Sequence, residues 1–271
     1  MERPAWTLAE IELSAPSMAR VYDCWLGGAH NFAVDRAVAA QALHAMPELR
    51  HVTLTHRAFL SRAVRFLLGV GVRQFLDLGS GIPTLGNVHE IAQRDHPDAR
   101  VVYVDIDPVA VSLSQLILQL QGARHVGVLH ADFRDPEAVL NSAEVRGLLD
   151  FDRPIGLVMT AVLHLLPDGD NPHAILRRYR DGLPSGSYQA ISHASLAGDT
   201  RSAGPNQARN PYEGNVTPIF FRNRAQCASF FDGFDVVDPG VVRLPLWRPD
   251  WLQDCDKAVR FPGFGGVGRK R

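Results

Sequence analysis

Cysteine is scarce in this chain of 271 residues, and its spacing excludes two kinds of small-domain scaffold. The three cysteines, Cys24, Cys227 and Cys255, lie far apart, and no CxxC pair occurs. The sequence therefore indicates neither a disulfide framework nor a zinc knuckle. Unpaired thiols are typical of proteins in a reducing compartment, so we expect a cytoplasmic location.

Long hydrophobic runs and a leader pattern are also missing. The first residues, MERPAWTLAEIEL, lack a basic region followed by an apolar stretch, so no signal peptide is predicted. Every apolar run is far shorter than the ~20 residues that a membrane-spanning helix needs. We therefore expect no membrane partner.

A surplus of charge of either sign is absent as well. Lys and Arg number 28 against 29 Asp and Glu, which leaves a net charge of −1 at pH 7. This balance gives no bulk attraction to nucleic acid, and no nucleic-acid partner is expected. The short basic stretch at residues 268–271 is interpreted as a solvated tail. Nothing in the composition indicates an oligomeric state.

The N-terminal part of the chain has a helical pattern. Ser17 is a good N-cap for a helix that Gly27 and Gly28 end, and further helices are predicted over residues 35–46 and 53–68. Residues 1–70 are therefore predicted to form an N-terminal helical segment and possible lid, added to a domain of residues 71–271. The first helix and its turn carry a polar and aromatic cluster: Tyr22, Trp25, Gly27, Gly28, His30 and Asn31.

Two interpretations of this cluster stay open. The aromatic side chains can simply join the core, or the helix can cover a ligand, with the two glycines allowing close approach.

After residue 70, short apolar strands alternate with helices, which predicts an α/β fold with a parallel sheet and right-handed crossovers. The strand segments are RQFLDLG, ARVVYVDID, HVGVLHAD, PIGLVMTAVLHLL and SYQAISHAS, followed by the late strands FDVVD and VVRLPLW. Residues 196–216 are polar and rich in Gly, Asn, Arg and Pro. We interpret them as a long loop that shapes a binding pocket.

The stretch FLDLGSGIPT reads as a buried strand that runs into a tight glycine turn. In a GxGxxG register it places Gly79, Gly81 and then Thr84, so the third glycine of a dinucleotide fingerprint is missing. Ligands of open α/β sheets bind beyond the carboxyl ends of the strands, where this turn lies. A plain strand-to-helix turn is the alternative.

Carboxylates end the next two strands. Asp105 lies 24 positions after Gly81, at a spacing that suits hydrogen bonds to a ribose diol. Asp132 could accept a hydrogen bond from an exocyclic amine while Phe133 stacks on a base. Each of the two could instead be an ordinary turn or cap residue, which is the interpretation we prefer for Asp107. Carboxylates at successive strand ends would converge on one crevice, and such a group indicates a ligand site more specifically than any single residue does.

These motifs resemble a known family. LDLGSG, VVYVDIDP, HADF and VMTAVLHLLPD occur in the order expected of class I S-adenosylmethionine-dependent methyltransferases. Over nearly its full length the chain resembles an actinobacterial family of such enzymes, once described as a domain of unknown function. The matching stretches are RVYDCWLGGAHNFAVDR, FLDLGSGIPTLGNVHE, ARVVYVDIDPVAV, LDFDRPIGLVMTAVLH, GSYQAISHAS and DPGVVRLPLWRP.

The resemblance implies a Rossmann-like, seven-stranded, mostly parallel sheet with helices on both faces and an antiparallel last strand. It also implies S-adenosyl-L-methionine as the cofactor and a small-molecule methyl acceptor. The residues assigned to the cofactor are grouped by the part of the molecule that they would meet. Asp77, Gly79 and Gly81 would bound its methionine end, Asp105 would hold its ribose and Asp132 its adenine amine. Neighbouring residues assigned to the same cofactor site are Ser80, Ile106 and Phe133, and the N-terminal cluster would add Tyr22, Gly27 and Gly28. Ala161, Val162 and His164 would lie beside the methyl group.

The chain departs from the class at Pro83, where a third glycine is common. Proline removes one backbone donor and stiffens the loop. The loop's contact with the cofactor is therefore expected to differ from that of the class, while the expected cofactor is the same.

His164 is the candidate general base, because histidine titrates near neutral pH and this one is predicted to end the fourth strand. It could equally be a pocket wall or a histidine bonded to backbone. His193, which ends the fifth strand, is a weaker candidate. Asn87 could reach the cofactor, although a surface helix face is favoured. His89 and Glu90 lack a partner at metal spacing, so no metal site is expected.

Two other functions stay open on the sequence. One is a nicotinamide-dependent oxidoreductase, for which Asp105 would also serve. The other is a protein that binds the cofactor without catalysis.

Overall fold

A computed structural model describes residues 14–84, 86–196, 218–251 and 261–271 of the chain. Three helices come first, and their apolar faces decide how they pack. They are α1 (Met18–Leu26), α2 (Ala33–Ala45) and α3 (Leu49–Gly69). Gly27, with a φ of 84°, ends α1 as the sequence predicts.

A parallel sheet with crossover helices follows, as the alternating pattern predicts. Its strands are β1 (Gln74–Leu78), β2 (Arg100–Asp105), β3 (Val126–His130), β4 (Gly156–Thr160), β5 (Tyr188–Ala194), β6 (Phe234–Val236), β7 (Val242–Arg243) and β8 (Gly263–Lys270). The helices between them are α4 (Val88–Asp95), α5 (Pro108–Leu120), α6 (Pro136–Leu140), α7 (Ala143–Leu148), α8 (Pro172–Gly182) and α9 (Arg224–Ser229). In α5 the predicted cap is confirmed, because the Asp107 carboxylate accepts the backbone N–H groups of Val109 and Ala110.

Within the described residues, seven strands follow the order β3-β2-β1-β4-β5-β8-β6, and the two-residue β7 pairs with β8. Strands β1 to β5 are parallel, whereas β8 runs antiparallel to both β5 and β6. The predicted Rossmann-like fold with an antiparallel last strand is therefore confirmed. Because the strand order reverses between β1 and β4, a crevice opens there at the carboxyl ends of the strands.

The chain's last strand corrects one expectation. Residues 268–270 were expected in a solvated tail, but they belong to β8, which lies inside the sheet. Glycine is a poor strand former, which is why GFGGVGRK does not read as a strand. Here the missing side chains make room: a Cβ on Gly265 would lie 2.5 Å from Leu244 Cδ2, and one on Gly268 would lie 2.8 Å from Phe234 Cβ.

Two hydrophobic clusters cover the two faces of the sheet. One includes Leu157 and Tyr179, on the side of α6 and α8, and the other includes Phe59, Phe75 and Trp247, on the side of α3 and α4. Helix α3 is thus part of the main core, although it precedes the first strand. A third cluster joins α1 and α2 to the end of β5 and includes Trp25 and Ala194.

Candidate functional site

A cavity of about 580 Å³ lies at the carboxyl ends of strands β1 to β5, beneath α1 and α3. Its size falls within the range of small-molecule and cofactor pockets. The cavity has two sides, which follow from the strand order. The first, called here the cofactor half, is lined from β1, β2 and β3 by Gly79, Ser80, Gly81, Asp105, Ile106, Asp107, Asp132, Phe133 and Arg134.

The second side, called here the acceptor half, lies beyond β4 and β5. It is lined by Met18, Tyr22, Trp25, Met46, Leu49, Val52, Thr53, His56, Thr160, Ala161, Val162, His164, Leu165, Leu166, Ala194, Ile219, Phe221 and Pro262. Most of these side chains are apolar. The polar exceptions include two histidines, one from α3 and one that follows β4.

The glycine turn shapes the cofactor half. Gly79 and Gly81 have φ angles of 66° and 64°, in the left-handed region that glycine adopts without strain. The N–H groups of Gly79 and Ser80 donate to Val104 O on β2, which fixes the turn to the neighbouring strand. A Cβ on Gly79 would lie 2.3 Å from Val162 Cγ2, so the turn and the β4 end pack in close contact.

Asp105 braces this turn from the end of β2. Its Oδ2 accepts the Gly81 N–H at 2.7 Å and its Oδ1 accepts the Asp107 N–H at 2.9 Å. Burial raises the pKa of this carboxyl above its usual value. Each carboxylate oxygen can accept a second hydrogen bond, so both can still bond to adjacent hydroxyls of a ribose.

Asp132 and Phe133 follow β3 and reach the same wall of the cavity. Arg134 forms an ion pair with Asp132 at 2.6 Å. Partial burial opposes ionisation of Asp132, but the hydrogen bonds from Arg134 outweigh it and lower the pKa. Ile106 also lines this half of the cavity and is 55% exposed, so it offers an apolar surface there.

The structure brings together eleven of the fourteen residues that the sequence assigns to the cofactor. They are Tyr22, Gly79, Ser80, Gly81, Asp105, Ile106, Asp132, Phe133, Ala161, Val162 and His164. Asp77, Gly27 and Gly28 do not line the cavity. Asp77 is buried in β1, where burial raises its pKa to about 7 although Arg57 partly opposes the shift.

Gly27 and Gly28 serve contacts within the N-terminal segment instead. A Cβ on Gly28 would lie 2.0 Å from Asp23 Oδ1. The room left by this glycine lets Asp23 accept hydrogen bonds from the backbone of His30, the side chain of Asn31 and the hydroxyl of Thr84. Since Thr84 follows the glycine turn, Asp23 ties the end of α1 to that turn.

The start of α1 is tied down as well. The Ser17 hydroxyl donates to the Asp107 carboxylate at the cap of α5, and the buried Arg20 pairs with Asp35 at 2.9 Å. Tyr22 and Trp25 line the cavity, and Trp25 also packs in the third hydrophobic cluster. The two interpretations of this segment are therefore compatible, because the same aromatic side chains join a core and cover the cavity.

The sequence predicts that His164 ends the fourth strand, and this prediction is wrong. The strand ends at Thr160, Ala161 adopts a φ of 56°, and His164 lies in the short 3-10 turn that follows. Its Nδ1 accepts the Ala194 N–H at 3.3 Å. Burial, with a smaller contribution from His193, lowers its pKa well below the usual value.

His193 is buried away from the cavity lining. Its Nε2 accepts a hydrogen bond from Arg222 at 3.0 Å, and its Nδ1 donates to Ala194 O at 2.6 Å. Burial, followed by the positive charge of Arg222, lowers its pKa to about 3. Both ring nitrogens are engaged, so His193 has no part in proton transfer within the cavity.

His56 and Arg57 of α3 are among the lining residues that the sequence did not predict. Both lie on α3, where His56 bonds to Ser192 through Nδ1 and Arg57 donates to Gly86 O and Asn87 Oδ1. A signal was present, because His56 follows Leu49, Val52 and Thr53 at helical spacing on the face that points to the sheet.

Asn87 and His89 do not lie on a surface helix face. Asn87 is the buried N-cap residue of α4, and the buried His89 bonds to the Tyr103 hydroxyl at 2.7 Å. Within the described ranges, His, Cys, Asp and Glu side chains nowhere gather in threes as a metal ion would require. Of the loop predicted over residues 196–216, all but the first residue lies outside the described residues.

Fold and site together define a Rossmann-like protein whose cavity, at the carboxyl ends of the strands, is lined by a glycine turn, carboxylates and apolar side chains. The S-adenosyl methyltransferase family matches residues 4–271, and the chain belongs to this family. Its cofactor is S-adenosyl-L-methionine, and the cofactor half fits that molecule. The family assignment also sets aside the nicotinamide-dependent oxidoreductase.

Solved structures of similar proteins agree with this assignment. A candidate methyltransferase from Thermobifida fusca YX is 38% identical, with a TM-score of 0.87 over 99% of this chain and 100% of its own. A DUF574 family protein from Streptomyces avermitilis MA-4680 is 34% identical, with a TM-score of 0.85 over 96% and 99% of the two chains. No match was found among the curated proteins.

No helix in the described part of the chain combines the length and the apolarity needed to span a membrane. The cytoplasmic location stays a prediction.

Proposed function

We propose that this chain transfers the methyl group of S-adenosyl-L-methionine to a small, largely apolar molecule bound in the acceptor half. The observation that supports this most strongly is the shape of the cavity: cofactor half and acceptor half form one space of about 580 Å³ beneath α1 and α3. A small acceptor would share that space with the cofactor, whereas a folded macromolecule would not enter it.

The side chains of the acceptor half support an apolar acceptor. Met18, Trp25, Met46, Ile219 and Phe221 approach it from several directions. Burying apolar surface against such a wall contributes about 25 cal/mol per Å², so a planar or branched hydrocarbon body would gain most of its affinity there.

The cofactor half supplies the residues that would hold the cofactor. Asp105 would accept the ribose hydroxyls, the turn at Gly79 to Gly81 would allow the close approach of the methionine end, and Asp132 with Phe133 would meet the adenine. When bound, the cofactor supplies a methyl group on a positively charged sulfur, which is already a reactive electrophile. The protein would contribute to catalysis by aligning the acceptor with that methyl group and by excluding water.

The helices α1 and α2 would exclude water by acting as a lid. Their contacts to the glycine turn, through Asp23 and Thr84, and to the cap of α5, through Ser17 and Asp107, fix α1 over both sides of the cofactor half. Because α1 covers the cavity, it would move to admit the cofactor.

Calorimetric titration with S-adenosylhomocysteine tests the proposal. Asp105→Ala removes a buried hydrogen-bond partner, so we expect the Kd to rise about tenfold or more. Asp235→Ala, an exposed carboxylate on β6, is the matched control and should leave the Kd unchanged. Thermal unfolding of each variant checks that the fold is intact.

Three outcomes would contradict the proposal. Equal loss of affinity in both variants would indicate that the ligand does not bind at the glycine turn. Binding of NADH in place of S-adenosylhomocysteine would contradict the cofactor assignment. If S-adenosylhomocysteine binds but no acceptor in a broad small-molecule screen yields product, the protein binds the cofactor without catalysis.

A further inference from the structure

The polar groups of the acceptor half carry information about the acceptor. His56, from α3, and His164, from the turn after β4, both line it, and their ring centroids are 6.3 Å apart. Each ring has one nitrogen engaged in a hydrogen bond to the protein. The direction of those bonds decides what the other nitrogen can offer to an acceptor.

The partner of His56 is the fully buried Ser192. Ser192 Oγ accepts the Ala161 N–H at 3.0 Å and lies 2.8 Å from His56 Nδ1. If Nδ1 carried the proton, the serine hydroxyl would be left as a buried donor without an acceptor, which costs about 1–3 kcal/mol. The serine therefore donates to Nδ1, and the ring proton of His56 is on Nε2.

The partner of His164 is a backbone group. Because β4 ends at Thr160, the Ala194 N–H on β5 bonds to His164 Nδ1 instead of to a carbonyl of the neighbouring strand. A backbone N–H can only donate, so Nδ1 accepts and the ring proton of His164 is again on Nε2.

Both rings are neutral at physiological pH. Burial lowers the pKa of His56 to about 4, and burial together with the neighbouring histidines lowers the pKa of His164 well below its usual range. The acceptor half is therefore equipped with two neutral Nε2–H donors.

The hydroxyl groups of Tyr22 and Thr53, which lie on the same side, do not provide a base. The Tyr22 hydroxyl bonds to Thr53 O, and burial raises its pKa to about 12, so it stays protonated. The Thr53 hydroxyl donates to Leu49 O at 2.6 Å. Among the described residues that line the cavity, the carboxylates are Asp105, Asp107 and Asp132, all in the cofactor half.

We propose that the acceptor is an oxygen acid that binds in its ionised form, a carboxylate on an apolar body, held by the Nε2–H groups of His56 and His164 and methylated without a general base. This inference rests on the proposed function. The nucleophilic oxygen already carries the electron pair that forms its bond to the methyl carbon. The electron pair of the broken carbon–sulfur bond stays on sulfur, and no proton has to be removed.

The apolar surroundings favour this pairing of charges. A carboxylate and a positively charged sulfur become a neutral ester and a neutral thioether, and the loss of two opposite charges is favoured in a site of low dielectric. Among the described residues, an ammonium acceptor would instead meet two N–H donors and no carboxylate on this side, so its burial would be unfavourable.

The tautomers can be measured without any acceptor. Long-range ¹⁵N–¹H correlation spectra of the full chain, loaded with S-adenosylhomocysteine, distinguish a neutral ring protonated on Nε2 from one protonated on Nδ1 and from imidazolium. We expect the Nε2–H form for both histidines at pH 7. Protonation of His56 on Nδ1 would make its Nε2 a base, and either that result or an imidazolium would overturn the proposal.

The acceptor class is tested with three probes of nearly equal shape: benzoate, benzamide and benzylamine. Titrated into the protein loaded with S-adenosylhomocysteine, benzoate should bind most tightly and benzylamine least. His56→Phe and His164→Phe should each raise the Kd of benzoate about tenfold or more, because a hydrogen bond to a charged group is lost, and should change the Kd of benzamide less.

His173→Phe is the matched control, because His173 is exposed and bonds to Ser229 away from the cavity. If His56→Phe does not fold, His56→Gln, which keeps an N–H donor, should retain benzoate binding. Equal binding of the three probes, preference for benzylamine, or binding of none of them would overturn the acceptor class. Failure of S-adenosylhomocysteine itself to bind would instead refute the proposed function.

Discussion

The contact between the glycine turn and the end of β4 leads to a quantitative prediction. Gly79 and Gly81 have nearly the same left-handed φ, so an alanine at either position should cost about 1–2 kcal/mol in backbone strain. Their surroundings differ. A Cβ on Gly79 would lie 2.3 Å from Val162 Cγ2, whereas a Cβ on Gly81 would meet no atom within 4 Å.

Overpacking of this kind costs about 1–3 kcal/mol. We therefore expect Gly79→Ala to lower the free energy of unfolding by about 2–5 kcal/mol and Gly81→Ala by the backbone contribution alone. Urea unfolding at constant pH measures both. Gly122→Ala, at a φ of 63° with no atom near its Cβ and remote from the cavity, provides a second control for the backbone contribution.

A double-mutant cycle isolates the steric part. In a Val162→Ala background the 2.3 Å contact with Cγ2 is removed, although Cβ of residue 162 stays 2.9 Å from the added Cβ, so the excess cost of Gly79→Ala over Gly81→Ala should shrink. The reasoning is refuted if the two glycine substitutions are equally destabilising in the wild-type background, or if Val162→Ala leaves the excess cost of Gly79→Ala unchanged.

Two further predictions concern a buried carboxyl and the lid. Burial raises the pKa of Asp77 to about 7, so the contribution of this residue to stability should be most favourable below pH 4 and should fall as the pH rises to 7. The stability gained by Asp77→Asn should therefore grow over that interval by about 4 kcal/mol. Urea unfolding of both proteins at several pH values measures this difference, and a constant difference would contradict the prediction. Thr84→Val removes a hydroxyl bonded to the carboxylate of Asp23, so amide hydrogen exchange in α1 should accelerate about tenfold. The Thr55 hydroxyl bonds within α3, so Thr55→Val should leave that exchange unchanged. Equal effects of the two substitutions would show that the Thr84 hydrogen bond does not hold α1 in place.

Much of the fold was predictable because its signals are local. Asp107 followed by proline predicts the cap of α5, and the apolar run after Arg100 predicts a strand buried on both faces. The glycine turn and the two carboxylates at successive strand ends were also predictable, because parallel strands place their carboxyl ends along one edge.

The errors have a different origin, since each depends on contacts between distant residues. Strand β8 is glycine-rich because Phe59, Leu244 and Phe234 occupy the space beside it, and nothing within GFGGVGRK reveals that. The apolar run after Met159 continues through a 3-10 turn, so composition cannot show that β4 ends at Thr160. The partner of His56 is 136 positions away, at Ser192, and no local pattern joins the two.

The position of β8 has a consequence for synthesis of the protein. A ribosome that has produced residue 194 has made all five parallel strands, yet β5 then lacks its neighbour on one side. That neighbour is complete only at residue 270, and the short β6 needs the same strand. For the intervening residues the nascent chain presents an open strand edge, which is a template for mispairing. Protection of this edge by a chaperone, or slow translation before residue 263, would therefore influence the yield of folded protein.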